Sequence, residues 1–186
     1  MKKILLFLSA FVPLYILVVI KILIDIVFLN LSFNFLNTFS IILFSILICL
    51  GIYGANLAIK HESTPISNIK IVTATNITEK YFLGYFSLFV LFALSYELEK
   101  VSMFVVFILV IFFIGIVYVK NDLFYINPFL NILGYNFYDI TFINLDENKG
   151  EQKAKFFYKG NLERHDKPFV AYLSHENFSM LDHKKN

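Results

Sequence analysis

Hydrophobic and polar positions in this chain separate into long apolar runs joined by short polar connections. Four runs stand out, at about residues 4–28, 38–59, 81–96 and 101–119. A helix needs roughly 20 apolar residues to cross a hydrocarbon layer about 30 Å thick. Four transmembrane helices are therefore predicted, the third of them short enough to borrow flanking positions or to meet a thinned bilayer. Beyond the fourth run the pattern changes twice. Tyr125–Tyr135 reads as a short helix with both ends specified. Asn127 suits the N-cap, where its side-chain oxygen can accept a first-turn N–H. Pro128 follows at the first helical position, where a missing N–H costs nothing, and Gly134 supplies a left-handed stop. At ~1.5 Å per residue this piece is roughly 10 Å long, too short to span and suited to lie at a surface.

Residues 136–186 hold most of the polar sequence. Stretches 137–144, 153–159 and 168–174 are rich in aromatic and β-branched types and are separated by turn residues, so they read as strands, with a short fourth at 177–181. The predicted architecture is a membrane all-α bundle of four transmembrane helices (1–124), followed by a short interfacial helix (125–135) and a small cytosolic antiparallel β module (136–186). A module of about 50 residues is near the lower limit for independent folding and is expected to lean on the membrane face, a partner or a second copy.

Details within the runs sharpen this picture. Pro13 should kink the first span by removing one backbone bond, with Ser9 one turn earlier available to the freed groups. Lys21 and Asp25, four residues apart, share a helix face. They are either an intramembrane ion pair at a subunit contact or a pair near the far interface whose charged ends reach the headgroups. Their place near the end of a long helix favours the second. Gly51 and Ala55 form a small-xxx-small pair that admits another helix closely. In the 60–80 connection, Ile69, Ile71 and Val72 suit a brief strand.

Composition agrees with a membrane protein: 58% of residues are hydrophobic and 16% charged, against about a quarter charged in soluble domains. Charge placement sets the orientation. Lys2 and Lys3, the three lysines of the 60–80 connection and Lys120 all fall on one side if four spans are crossed. Lys and Arg mark the cytoplasmic side, so both termini are expected there. Residues 120–186 carry nine Lys/Arg against nine Asp/Glu, which disfavours direct nucleic-acid binding.

Candidate chemistry is sparse. His61, His165, His175 and His183 have no Cys or His partner at ligand spacing, and are expected to be solvated rather than metal-bound. No phosphate-binding loop, nucleophile elbow or zinc-protease motif is present. Cys49 is expected to be a small buried hydrophobe. The chain is therefore expected to be no enzyme, with no catalytic residues, metal or cofactor, leaving binding, sensing, assembly or passive permeability.

Three stretches carry a resemblance. Ser9–Lys21, with Pro13-Leu14 and Ile20-Lys21, resembles the opening span of the membrane-subunit family of the Kiwa anti-phage defence system, KwaA. Thr78–Tyr85 is similar to that family's approach to its third span. Asn121–Tyr138 resembles its most distinctive motif, Asn127-Pro128-x-Leu130-x-x-x-Gly134-Tyr135. The chain departs from the pattern at Ser87-Leu88-Phe89, where a proline is expected. The resemblance implies a homo-oligomeric, tetrameric inner-membrane sensor that detects phage attachment or injection. It also implies relay to a cytosolic DNA-binding partner, KwaB, through the tail. Partners on this reading are membrane lipid, further copies of the chain and a KwaB-like effector. Pro13, Lys21, Asp25, Gly51, Ala55, Asn127, Pro128 and Gly134 are the structural and relay candidates. The alternatives are a stand-alone immunity or superinfection-exclusion protein and a small pore, the latter disfavoured by the scarcity of charge that could line it.

Overall fold

Pro13 does more than bend the first span. In a computed structural model, which describes residues 2–28, 34–59, 66–78, 84, 87, 90–91, 100–145, 150–162, 169–172 and 179–183, that span is two helices. Helix α1 (Lys2–Ala10) and helix α2 (Val12–Phe28) meet at Phe11 with a bend of 47°. Proline cannot donate to the carbonyl four residues back, and its ring crowds that carbonyl. The helix therefore stops before Pro13 and restarts with Pro13 in the first turn of α2, where it is tolerated. The N–H of Phe11 closes a tightened turn onto the Leu8 carbonyl at 3.3 Å, and Tyr15 resumes the helical pattern on the Phe11 carbonyl at 3.0 Å.

Helix α3 (Phe35–Ile59) begins earlier than the apolar run suggests, because Asn34 caps it. The Asn34 side-chain oxygen accepts the N–H of Asn37 at 2.7 Å, satisfying one orphan donor of the first turn. Helix α4 (Val101–Lys120) follows. Helices α3 and α4 are each long and apolar enough to cross a membrane, and the bent α1–α2 pair makes a third candidate if it is one span. The expected span at 81–96 lies outside the described residues, apart from Gly84, Ser87, Val90 and Leu91, which are helical. Cys49 is exposed on α3 rather than buried, because the inner face of that helix is taken by Phe44, Gly51, Gly54 and Ala55.

That inner face packs on α1. A methyl group at Gly54 would collide with the Leu5 carbonyl and its side chain. One at Gly51 would collide with the Val12 side chain and lie 2.9 Å from the Leu8 carbonyl. On α4, a methyl at Gly115 would come within 2.9 Å of the Phe7 ring. The small-residue stripe thus has its partner inside the same chain, and Gly54, between Gly51 and Ala55, makes the closest approach. An aromatic chain fills the remaining space: Phe7 with Tyr118 (5.4 Å), Tyr15 with Phe44 (5.9 Å) and Phe44 with Phe107 (5.8 Å) between ring centroids.

These helices belong to one compact unit, Met1–Ile59 with Phe82–Phe129; the second unit is Lys60–Tyr81 with Leu130–Asn186. In the second, β1 (Ile66–Asn76), β2 (Tyr135–Asn144) and β3 (Gln152–Lys159) form an antiparallel three-stranded sheet. Strand β4 (Phe169–Tyr172) pairs with β1, and β5 (Ser179–His183) with β4. A short parallel pairing of β5 with β3 closes a barrel in the order β1-β2-β3-β5-β4, an arrangement of the five-stranded Greek-key type seen in OB folds.

Two expectations are corrected here. The sheet is not confined to 136–186, and it is not wholly antiparallel. The tail alone would leave an edge of β2 open. The 60–80 connection fills it with an eleven-residue strand, not a brief one, bulged between Ile71 and Thr73. Closure then requires the last strand to run parallel beside β3. Inside lie Ile69, Tyr138, Ile140, Phe142, Phe156, Tyr158 and Ala171, with Ile71, Ala154 and Leu162 packed against them.

The glycine contact gives a direct test. Gly54→Ala must push α1 off α3, and overpacking of this kind costs about 1–3 kcal/mol. Thermal unfolding of the detergent-solubilised protein should show a lowered midpoint for Gly54→Ala. Gly150→Ala, where an added methyl meets nothing, should leave it unchanged. Equal midpoints for both variants would contradict this packing.

Candidate functional site

The residues between α4 and β2 are described throughout, and two of their polar side chains, Asp122 and Asn127, are held by α1. Past Lys120 the chain turns through Asp122, which is in the left-handed region (φ 49°), into a 3-10 turn at Leu123–Tyr125. Asp122 receives the Lys3 ammonium at 2.6 Å, and the same ammonium lies 5.8 Å from the centre of the Phe124 ring. Both carboxylate and ammonium are about two-fifths exposed, so this pair fixes position more than it stabilises. Beneath it, Phe124 is buried against Tyr118, whose hydroxyl donates to the Ile126 carbonyl at 3.3 Å.

Asn127 is 2% exposed. Its side-chain nitrogen donates to Ser9 Oγ at 2.8 Å and reaches the Leu6 carbonyl at 3.4 Å; Ser9 Oγ in turn donates to the Leu6 carbonyl at 2.7 Å. Buried polar groups must be paired, because losing a partner leaves the desolvation penalty uncompensated. The last turn of α1, just before the break at Phe11, is therefore tied to the residue before Pro128. Helix α1 is held near its start by Lys3–Asp122 and near its end by Ser9–Asn127, both times by the chain that follows α4.

Helix α5 (Pro128–Ile132) starts directly after Asn127. Gly134 has φ +85°, a conformation that side chains rarely adopt. Its N–H donates to the Asn131 carbonyl at 2.8 Å, and its own carbonyl accepts the N–H of Gly160, at the end of β3, at 2.8 Å. In the same unit, the Asn131 side chain donates to Asn136 Oδ1 (2.7 Å), and Asn136 donates to the Gly160 carbonyl (2.9 Å). The first residues of β2 are pinned on the other side by Thr78. Its hydroxyl oxygen accepts the N–H of Phe137 at 2.7 Å, its N–H donates to Asn76 Oδ1 at 2.9 Å, and Ile77 N–H donates to the Phe137 carbonyl at 2.9 Å.

Of the residues singled out in the sequence, Asn127, Pro128 and Gly134 lie along this one connection. Pro13 follows the break that Asn127 secures, and Gly51 and Ala55 lie on the helix that α1 packs against. Lys21 and Asp25 are not part of the group. They form an ion pair of 3.5 Å on α2, beyond Pro13 towards its C-terminal end, with side chains 25% and 22% exposed. Sequence reasoning gave no weight to Lys3–Asp122, Ser9–Asn127 or Thr78–Phe137. These contacts span 119, 118 and 59 residues, and no local periodicity signals them. Chemically, the connection offers hydrogen-bond donors and acceptors that fix its own path; among the described residues, no group of three His, Cys, Asp or Glu side chains could hold a metal. Three of the four histidines, His61, His165 and His175, lie outside the described residues.

A family model described as "Anti-phage protein KwaA" matches residues 2–179. No curated protein and no solved structure matches the chain.

The tie between Ser9 and Asn127 is measurable as a coupling energy. Ser9→Ala and Asn127→Ala should each destabilise the detergent-solubilised protein by about 1–3 kcal/mol. The double variant should fall short of their sum by ~0.5–3 kcal/mol, as for other directly bonded pairs. Additive effects would mean that the two side chains do not act on one another.

Proposed function

The chain belongs to the KwaA family of anti-phage proteins, and from that premise we propose that it is a non-enzymatic membrane sensor and scaffold, relaying an envelope disturbance to a cytosolic KwaB-like effector. A defence role follows from the family. The relay rests on one observation above all: the buried Asn127 amide, bound to Ser9 and the Leu6 carbonyl at the break in the first span. A broken helix has a soft point, and lateral tension or thinning acts on its bend angle. Any change there moves Ser9, and with it Asn127, the residue that leads into Pro128 and α5. From Gly134 the displacement passes into the barrel through the Gly160 hydrogen bond. The barrel is then the surface that an effector reads.

Four spans, with both termini and the 60–80 connection on the cytoplasmic side, are part of this proposal. Lys3 at the start of the first span meets Asp122 at the end of α4, which supports an even number of crossings between them. The long register of β1 with β2 supports one side for the 60–80 connection and the tail. With α1–α2, α3 and α4 as crossings, the segment containing Gly84, Ser87, Val90 and Leu91 supplies the fourth. The lysines of the connection then mark the cytoplasm. A homo-oligomer, tetrameric by resemblance, must use other surfaces than Gly51, Gly54 and Gly115, which are taken up within the chain.

Phage plating and co-purification together test the reading. Asn127→Leu and Ser9→Ala, expressed with the neighbouring defence genes, should reach the membrane and retain the cytosolic partner but lose protection. Full protection with both variants would overturn the relay. Protection by this chain alone, with no partner gene, would favour the superinfection-exclusion alternative.

A further inference from the structure

The even charge count of the tail conceals a segregated arrangement. Side chains of the three-stranded sheet alternate between barrel interior and exterior, and register fixes which residues share the outer face. The core residues Tyr138, Ile140, Phe142 and Phe156 point inward. Their neighbours Asp139 and Thr141 on β2, paired with Lys155 and Lys153 on β3, therefore face outward. Lys159 pairs with Tyr135 on the same face, its ammonium 5.8 Å from the centre of the Tyr135 ring. Lys70 of β1, opposite Ile143, completes it. All four lysines are exposed, and among the described residues of β1, β2 and β3 Asp139 is the one acid.

We propose that this lysine face of β1–β2–β3 binds the headgroups of anionic phospholipid. Two observations favour lipid over other polyanions. First, the chain leaves β1 just past Thr78 for the helical segment containing Gly84, and returns from α4 through α5 to Tyr135. The hydrogen-bonded Thr78–Phe137 end of the sheet is thus continuous on both strands with sequence that the proposed four-span topology, on which this inference rests, puts in the membrane. Second, single-stranded nucleic acid needs open aromatic faces on which to stack. The outward aromatics Tyr135, Phe137 and Phe157 are 8%, 3% and 3% exposed, which leaves only charge contacts. Lysines beside an anionic leaflet gain favourable energy within about a Debye length of it. The face would hold the barrel against the leaflet and make its position depend on lipid composition.

The test uses the full-length protein in nanodiscs of phosphatidylcholine alone or with phosphatidylglycerol, with lysine reactivity towards an amine reagent read by mass spectrometry. Lys70, Lys153 and Lys155 should react about fivefold more slowly in the phosphatidylglycerol discs, and high salt should remove that protection. In the exposed double variant Lys153→Gln/Lys155→Gln, Lys70 should lose its protection. Equal reactivity in the two disc types would overturn the proposal. So would lysine-dependent binding of a single-stranded oligonucleotide with no effect of phosphatidylglycerol. Because the relay through Asn127 is not read by this measurement, its failure leaves the proposed sensing role standing, and full phage protection with the Asn127 and Ser9 variants, which would overturn the relay, leaves the lipid contact standing.

Discussion

Gly51 and Gly54 let the backbone of α1 lie directly on α3, and most of the helical unit follows from that contact. No side chain larger than hydrogen fits beneath the Leu5 carbonyl. With α1 fixed there, its Phe7 ring closes over Gly115 of α4, and Phe7, Tyr118 and Phe124 form a continuous aromatic wall. In a bilayer, apolar surface gains little by leaving lipid for protein. Close packing and buried hydrogen bonds must therefore hold helices together. This unit uses both, and they meet in the last turn of α1.

The break at Phe11 is where the two meet. A proline at this point of a helix frees backbone groups, and hydrocarbon would offer them no water. Ser9 and Asn127 add polar partners beside that break, at the cost of linking the first span to a residue 118 positions away. That link ties the last turn of α1 to the residue that leads into Pro128. The second unit repeats the theme in β form. Its first strand, β1, precedes α4 in the chain and the other four follow it, so the barrel is assembled from two separate stretches of sequence.

Much of this was readable in the sequence. Apolar run lengths locate α3 and α4, Pro13 marks a disruption, and Asn127-Pro128 with Gly134 brackets α5. Strands β2 to β5 lie within a few residues of their predicted positions. What the sequence obscured was non-local. Residues 66–76 hold few large apolar side chains and sit between charged positions, so their length as a strand depends on β2 and β4 being present on either side. The parallel β3–β5 contact arises only on closure. Gly51 and Ala55 stand out as the small pair, and only the register of α1 shows that Gly54 between them makes the closest approach. Asn127 read as a local cap, yet its amide nitrogen serves a helix at the other end of the chain, because propensity rules report what a residue does for its neighbours in sequence.

Coupling between the first span and the barrel through Asn127 is most directly tested by amide hydrogen exchange in nanodiscs, comparing wild type with Ser9→Ala. Relay through this connection requires faster exchange not only in α1 but also at the start of β2, above all at Phe137, whose N–H is held by Thr78. Exchange that quickens in α1 and leaves Tyr135–Asn144 at the wild-type rate would contradict it.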